Sequence, residues 1–273
     1  MATARRTACV VLGAVALLAA VLPAAADPPR HRGARARRHR AVVVSARYAQ
    51  MRRHWHEPAP ERARRAFARA AVPPLALRPV HGGPPEVLTP DPVARPVFGP
   101  DDLLLAASAF APRDATTTRD VHPRLLELLH RAVRHFRAPW VNLVSGVRDT
   151  RATSRHTQGR AADVVLPGVS DSRLAAFFRQ QGFVGVGLYP SSGFVHVDVR
   201  GRSYFWVDRS GPGQPNRTRE ILELTARAMD RRAVRRGEQV TPDLAASVPE
   251  LDGELTSDAQ ATEQRDPPLE TQP

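Results

Sequence analysis

The stretch "SRHTQGRAAD", from Ser154 to Asp163, holds a histidine and an aspartate seven positions apart. Gly159 and Ala161 lie between them, and such small residues let a loop fold tightly and let its backbone approach a bound ion. His156 and Asp163 are therefore either part of a metal site or two polar residues in an ordinary loop. Because this spacing also arises by chance in many proteins, the surrounding sequence must decide between the two interpretations.

A second pattern, "FVHVDVR" at residues 194–200, alternates three valines with polar and aromatic residues. Such alternation predicts a β-strand that buries the valines on one face and presents His196 and Asp198 together on the other. His196 is thus a candidate third ligand beside His156 and Asp163. Catalytic zinc takes three protein ligands and keeps one position open.

Composition narrows the chemistry of any such site. Cys9 is the only cysteine, and it lies in a segment that we expect to be removed. A mature chain without cysteine has no disulfides and no thiolate zinc site. Any metal would then be held by histidine and carboxylate groups.

Helical and extended patterns surround the two motifs. Pro123 can open a helix whose apolar residues recur at helical spacing, and Pro139 ends it. After it, "WVNLVSGVR" predicts a strand that runs into a loop at Ser145 and Gly146. The segment "AADVVL" predicts a second short strand, so the first motif leads directly into a sheet.

The elements that follow complete the predicted domain. Asp171 can cap a helix, and "GVGLYP" then leads into the "FVHVDVR" strand. "SYFWV" is expected to return beside that strand. A final helix is predicted from Thr218 to Arg236. Its apolar side is expected to face the domain through four residues: Ile221, Leu222, Leu224 and Met229.

Four blocks occur in a fixed order: an SGxR loop, an SxHxxGxAxD block, a GxGxYP turn and an FVHxD strand. In this order they resemble the zinc-dependent peptidoglycan peptidases that share a fold with D-alanyl-D-alanine carboxypeptidases and the hedgehog signalling domain, in particular the murein endopeptidase branch. The resemblance covers roughly residues 120–208. It implies an α+β fold in which a small antiparallel sheet carries the site and helices pack on its other face. It also implies Zn²⁺ ligands at His156, Asp163 and His196.

The resemblance assigns further roles beside the metal. Arg148, at the end of SGVR, matches the family arginine that stabilises the oxyanion or holds a substrate carboxylate. The chemistry supports this role, because a guanidinium near a polarised carbonyl offsets the charge that develops when water attacks. Ser145 is expected to contact substrate from the same loop. Val147 stands where the family usually has tyrosine, so that substrate contact is not carried over.

Two candidates are available for proton transfer and oxyanion contact. Relatives with an HxH motif use the first histidine for proton transfer, but aligning His196 with the ligand position puts Phe194 there. Asp198, on the same strand face as His196, can accept the proton of the attacking water, or it can instead orient His196. Tyr189 can offer its hydroxyl to the substrate, or it can pack against the turn.

Residues 1–26 are predicted to be a signal peptide, because Arg5 and Arg6 precede an apolar run and small residues follow before Asp27. The apolar run is too short to span a bilayer comfortably. We therefore expect a periplasmic or secreted protein with no integral membrane span after cleavage. An uncleaved membrane anchor is the alternative.

Residues 27–97 are predicted to be a disordered arm and linker. Between residues 27 and 72, thirteen arginines face three acidic residues, a balance typical of a solvated, mobile segment, and a proline-rich stretch follows. Such a basic block also binds anionic polymers, so polymers of the envelope are expected partners. The export signal argues against nucleic acid. The peptidase domain is expected to cover residues 98–237, and an acidic disordered tail residues 238–273.

These observations predict an exported zinc metallopeptidase that cleaves peptide or crosslink bonds in peptidoglycan stem peptides. The alternative is a non-catalytic, zinc-containing module that binds the cell wall, which Phe194 favours by replacing the proton-transfer histidine. A third hypothesis makes polymer binding by the basic arm the main activity of the protein.

Overall fold

A computed structural model of the protein describes residues 44–240, except residues 82, 95–96, 116–117, 149–153 and 216. Three of the predicted segments lie wholly or partly outside the described residues: the signal peptide, the basic arm up to residue 43 and the acidic tail from residue 241 onward.

The described residues form eight strands: β1 (Leu75–Pro79), β2 (Glu86–Leu88), β3 (Val141–Ser145), β4 (Ala161–Val165), β5 (Val184–Tyr189), β6 (Phe194–Val199), β7 (Tyr204–Asp208) and β8 (Thr218–Ile221). They make one sheet in the order β2-β1-β3-β4-β6-β5-β7-β8. β1 runs parallel to β3 and β5 runs parallel to β7, while the other neighbours are antiparallel.

This sheet confirms the α+β class and corrects the expected size and pairing. The prediction of a small antiparallel sheet is wrong, because the sheet is mixed and extends beyond the motif strands at both edges. The β1–β2 pair adds one edge through a parallel contact with β3. β7 was expected beside β6, but β6 already lies between β4 and β5, so β7 pairs with β5.

The described residues form six helices: α1 (Ala46–His56), α2 (Glu61–Arg69), α3 (Pro100–Phe110), α4 (Pro123–Phe136), α5 (Asp171–Arg179) and α6 (Glu223–Arg235). α4 confirms the helix predicted from its prolines: Pro123 is its first residue, and Arg137 ends it in the left-handed conformation at φ 53°. None of the described helices combines the length and apolar character needed to cross a membrane.

The sheet separates two apolar clusters. The valines of β6 belong to the main core, together with leucines of α4 and α5, as the alternating pattern predicted. Phe194 belongs to the second cluster. Since alternate residues of a strand share a face, His196 and Asp198 lie on the Phe194 side of the sheet.

α1 covers this second face of the sheet. Its Tyr48 and Trp55 are buried in one cluster with Val165, Phe194 and Trp206. The helix begins with a capping bond, because the Tyr48 backbone N–H donates to the Ser45 side chain at 3.1 Å. The prediction of disorder for residues 27–97 is therefore wrong from α1 to β2. The high arginine content led to the prediction of disorder, but Tyr48 and Trp55 are seven positions apart and share one face of a helix.

The predicted final helix also needs correction. Its first residues form β8, which pairs with β7, and the helix begins only at Glu223. Leu222 donates its backbone N–H to the Phe205 carbonyl at 3.0 Å, which ties the chain to the sheet before the helix starts. As a result, Leu224 is 82% exposed and Ile221 is 53% exposed. Leu222 and Met229 do pack against the core.

Candidate metal centre

The three predicted metal ligands meet near the middle of the sheet. Asp163 of β4 lies directly opposite His196 of β6, and Ser145 of β3 lies opposite Asp163 on the other side. His156 comes from the turn that precedes β4. His156 Nε2 is 3.2 Å from His196 Nδ1 and 3.6 Å from Asp163 Oδ1. His196 Nδ1 is 3.0 Å from Asp163 Oδ1, and all three residues are buried.

The turn that carries His156 depends on Gly159. This glycine has φ +65°, and its N–H donates to the His156 carbonyl at 3.1 Å. A Cβ at this position would collide with the Asp120 carbonyl oxygen. A side chain would therefore be both strained and blocked, which accounts for the glycine between the two ligands.

Each histidine uses its outer ring nitrogen for a hydrogen bond within the protein. His156 Nδ1 lies 2.6 Å from the Gly146 carbonyl oxygen, and His196 Nε2 lies 3.0 Å from Asp198 Oδ2. With protons on these outer nitrogens, the two inner nitrogens carry lone pairs. These lone pairs then face each other and the Asp163 carboxylate, and such a group of acceptors is stabilised by a cation.

The spacing of these three atoms fits zinc. Tetrahedral ligands at the usual zinc distances lie about 3.3 Å from one another, and the separations between the facing atoms are 3.0, 3.2 and 3.6 Å. Two imidazoles and one carboxylate are also a donor set that zinc accepts. The residues present therefore fit a three-ligand zinc site.

Electrostatics in the cluster also favour a positive charge. Burial lowers the pKa of His196, but hydrogen bonds to Asp163 and Asp198 outweigh burial and raise this pKa to about 10. Burial raises the pKa of Asp163, but the Arg148 guanidinium and His156 hold it well below its ordinary range. Asp163 is therefore an anion in the interior, where it pairs with Arg148 through one oxygen and faces the two histidines with the other.

Arg148 lies at the edge of the cluster. Its guanidinium is buried and bonds the Asp163 carboxylate, while its Nε donates to Ser145 Oγ at 2.7 Å. Thr157 donates to the Arg148 carbonyl at 2.9 Å, which joins the arginine to the turn of His156. The predicted pair of Ser145 and Arg148 is thus adjacent to the ligand cluster, and the arginine side chain is already positioned.

Asp198 lies behind His196, on the side away from the other two ligands. Two arginines neutralise it: Arg200 Nε donates to Asp198 Oδ1 at 2.7 Å, and Arg155 Nε is 3.4 Å from the same oxygen. Burial raises the pKa of Asp198, but Arg200 and Arg155 hold it well below its ordinary range. Gly185 makes room for the carboxylate and donates its N–H to it at 3.2 Å. This environment favours the orienting role among the two predicted alternatives.

Tyr189 is buried in the second apolar cluster. Its ring stacks on Phe194 with centroids 4.7 Å apart, and its hydroxyl accepts a hydrogen bond from Trp206 Nε1 at 3.2 Å. The Trp206 ring in turn lies 5.3 Å from the His196 ring. This geometry favours the packing role of Tyr189 over contact with substrate.

Three residues near the site were not singled out from the sequence. Arg200 shares a strand face with His196 and Asp198, so the alternating pattern contained the signal that it contacts Asp198. Arg155 offered no such signal, because a turn has no fixed periodicity. Tyr48 of α1 donates its hydroxyl to the Ser192 carbonyl at 2.8 Å, in the turn just before β6.

Residues 126–206 match the family model Peptidase_M15_2, described as peptidoglycan L,D-endopeptidase MepK. The matched segment contains the three candidate ligands, Arg148 and Asp198. The chain is 36% identical over 102 residues to the peptidoglycan L,D-endopeptidase MepK of Escherichia coli (strain K12), and equally to that of Shigella flexneri.

These matches cover 31% of this chain and 54% of each relative, so the chain spans about half the length of the curated relatives it matches. No solved structure matches. Over residues 126–206 the chain is thus similar to the murein peptidases of the Peptidase_M15_2 family, which confirms the resemblance predicted from its four motifs.

Proposed function

We propose that this protein is an exported zinc metallopeptidase that hydrolyses peptide or crosslink bonds in peptidoglycan stem peptides. The observation that carries the proposal is the buried cluster of His156, Asp163 and His196, with Arg148 bonded at its edge. The cluster falls within the segment that is similar to peptidoglycan L,D-endopeptidases. An L,D-peptide bond is therefore the first bond to test.

His156, Asp163 and His196 would hold the zinc ion. When bound in such a site, zinc acts as a Lewis acid that polarises a carbonyl and favours the ionisation of water. The protein contributes the fixed orientation of both imidazoles, through the Gly146 carbonyl and the Asp198 carboxylate. It also contributes a buried environment, in which charges interact more strongly than in water.

Arg148 would stabilise the negative charge that develops on the substrate carbonyl oxygen. Its guanidinium is held between Ser145 and Asp163, so little reorganisation is needed when the charge appears. Ser145 contributes to this role by fixing the arginine as well as by facing the substrate. We assign Tyr189 to the packing that supports β6.

Asp198 would act as a positioning residue for His196. The two arginines that neutralise it leave a weak proton acceptor, and it faces the outer nitrogen of His196. A general base is effective when its pKa lies near the working pH, and that of Asp198 is held far below. The role of proton acceptor for Asp198 is the alternative.

The decisive experiment is digestion of purified peptidoglycan, with and without a chelator, followed by mass spectrometry of the released muropeptides. We expect products that differ from the substrate by one hydrolysed peptide bond, and we expect the chelator to prevent their formation. Binding to peptidoglycan without any product, in zinc-supplemented buffer, would favour the non-catalytic cell-wall module that Phe194 suggests.

The location and further partners belong to the same proposal. Export to the periplasm or the exterior rests on the predicted signal peptide of residues 1–26, and peptidoglycan lies in that compartment. The basic residues before β1 would bind anionic envelope polymers. Part of this basic segment is α1 itself, in which Arg47 and Arg53 are exposed, whereas Arg52 donates to the Ser191 carbonyl at 2.7 Å.

A further inference from the structure

A basic groove lies on the side of the sheet opposite to the candidate metal centre, between α4, the end of α5 and α6. Its volume is about 690 Å³, within the range of roughly 300–1,000 Å³ that is typical of ligand-binding clefts. The charged residues that line it are four arginines and one glutamate: Arg131, Arg179, Arg232, Arg236 and Glu238. The lining is therefore positively charged, and an anionic ligand is favoured there.

Two of these arginines are engaged by the fold. Arg179 donates to the Trp206 carbonyl at 3.3 Å. Arg236 donates to the Gln180 carbonyl at 3.2 Å, at the carboxyl end of α5, so it offsets the partial negative charge of that helix end. These contacts fix the walls of the groove, and a ligand must find its partners among the other arginines.

Arg131 of α4 and Arg232 of α6 are the exposed arginines that remain. Arg131 Nη2 lies 4.0 Å from the Glu127 carboxylate, and an exposed ion pair of that length contributes little. Within the described part of the chain, Arg232 forms no ion pair, and its Nη1 lies 4.0 Å from the Met229 sulfur. Two guanidinium groups on different helices are therefore available for the carboxylates of a ligand.

The chain leaves α6 along the edge of this groove. The Glu238 carboxylate lies 2.8 Å from Arg236 and 3.4 Å from Arg124, and Arg124 also donates to the Gln239 carbonyl at 3.1 Å. Arginines thus hold the first residues after the helix. The chain continues from there into residues 241–273, which contain eight acidic residues and one arginine. A segment of opposite charge therefore begins at the groove itself.

The acidic residues of this segment are close enough along the chain to reach the groove. Glu250, Asp252 and Glu254 are three acids within five positions, and Glu250 lies ten positions beyond Val240, the last described residue. An extended chain spans up to about 3.5 Å per residue, or roughly 35 Å over ten residues. α6 has 13 residues and is about 20 Å long. The three acids can therefore reach both available arginines.

We propose that the acidic segment of residues 241–273 binds in this groove, with Arg131 and Arg232 as its partners. Attachment to the same chain favours this contact, because a ligand joined through a short linker reaches an effective concentration in the millimolar range. The segment then acts as an internal competitor that keeps anionic polymers from this surface. The proposal does not depend on the metal centre, which lies on the other face of the sheet.

The test compares the full-length protein with a tail-neutralised full-length variant that carries Glu250→Gln, Asp252→Asn and Glu254→Gln. The probe is a fluorescent synthetic peptide with the sequence of residues 247–261, and fluorescence anisotropy at low salt measures its binding. In the wild-type protein the attached segment competes with the peptide. We therefore expect the peptide to bind the tail-neutralised variant about tenfold more tightly than the wild-type protein.

Two double substitutions in the tail-neutralised protein locate the binding surface. Arg131→Gln with Arg232→Gln should weaken peptide binding by about tenfold, because both charged partners are lost. Arg47→Gln with Arg53→Gln is the matched control: it removes the same charge from the exposed side of α1 and should leave the affinity unchanged. Equal affinity of the peptide for the wild-type and tail-neutralised proteins would overturn the proposal. Loss of binding in the α1 control, with binding kept in the groove variant, would also overturn it and would place the segment on α1.

Discussion

His196 uses its two ring nitrogens for different partners, and this division determines what Asp198 can do. Nδ1 faces His156 and Asp163, while Nε2 faces Asp198. A residue behind the ligand controls the direction and basicity of the ligand, but it has no direct path to a substrate in front of it. The geometry thus places the proposed metal-binding nitrogen of His196 and the nitrogen that contacts Asp198 on opposite sides of one ring.

Asp198→Asn tests this separation. We expect zinc affinity to fall by roughly tenfold or more, because the amide is a poorer partner for the imidazole, and we expect activity to return in excess zinc. Zinc titration and peptidoglycan hydrolysis measure the two effects, with the exposed Asp114→Asn as control. Unchanged zinc affinity together with a loss of activity on the order of a hundredfold would instead identify Asp198 as the base.

His156→Ala tests the metal centre itself. The wild-type protein should contain about one zinc ion per chain, and the variant should contain almost none, because two ligands cannot hold the ion in competition with water. Elemental analysis after dialysis gives the occupancy. His54→Ala removes an exposed histidine and should keep full occupancy. Full zinc content in His156→Ala would rule out the assigned ligands.

The set of candidate ligands was predicted from the order of the four motifs and from the family that they resemble. The spacing of His156 and Asp163 and the alternation around His196 follow directly from the chain. The bond from Arg148 to Asp163 and the contact of Arg155 with Asp198 were not predictable, because each joins side chains whose directions are set by tertiary packing. The same limit explains why the sequence alone left both roles of Asp198 open.

Among the elements, α1 shows how composition can conceal a folded segment. Its average character is polar and basic, yet Tyr48 and Trp55 place two aromatic rings on one side, in edge contact at 5.9 Å. The net charge of such a helix describes its exposed face, whereas its contribution to stability comes from the buried face.

The pairing of β7 was not predicted for a different reason. Strand order depends on contacts between segments that are distant in sequence.

Trp55→Ala tests whether α1 is an integral part of the domain. The side chain is 3% exposed, so we expect its loss to lower the free energy of unfolding by about 3–5 kcal/mol. Urea denaturation measures the change, and Arg47→Ala on the exposed side of the same helix serves as control. Equal stability of the two variants would show that α1 does not pack on the sheet in solution.

A histidine–carboxylate pair attaches the end of α1 to α5. His56 Nε2 is 2.9 Å from Asp171 Oδ1, and this hydrogen bond, opposed in part by burial, raises the pKa of His56. A raised pKa in the folded state stabilises the protein below the unfolded pKa of about 6.5, and the contribution is lost as the pH rises through the folded pKa.

Asp171→Asn should therefore lower the free energy of unfolding by more at pH 5.5 than at pH 8.5. The expected difference between the two effects is about 1 kcal/mol, since the pair is partly exposed. Urea denaturation at the two pH values measures it. A variant effect that is the same at both values, or larger at pH 8.5, would contradict the role of this pair.

At the scale of the whole molecule, the domain is larger than its motifs suggest. The β1–β2 pair contributes buried leucines to the main core, and α1 covers the opposite face. We expect limited proteolysis to leave a resistant fragment that includes everything from α1 to α6, with its mass determined by mass spectrometry. A resistant fragment that begins near residue 98 would restore the narrower boundary predicted from the proline-rich stretch.

The bond between Tyr48 and the Ser192 carbonyl joins residues 144 positions apart. Contacts of such long sequence separation form slowly, because the intervening chain loses much of its freedom before the contact stabilises it. During synthesis α1 emerges well before β6, so its aromatic face has no partner until most of the domain has followed. In refolding experiments, burial of Trp55 should accordingly lag behind the recovery of helical secondary structure.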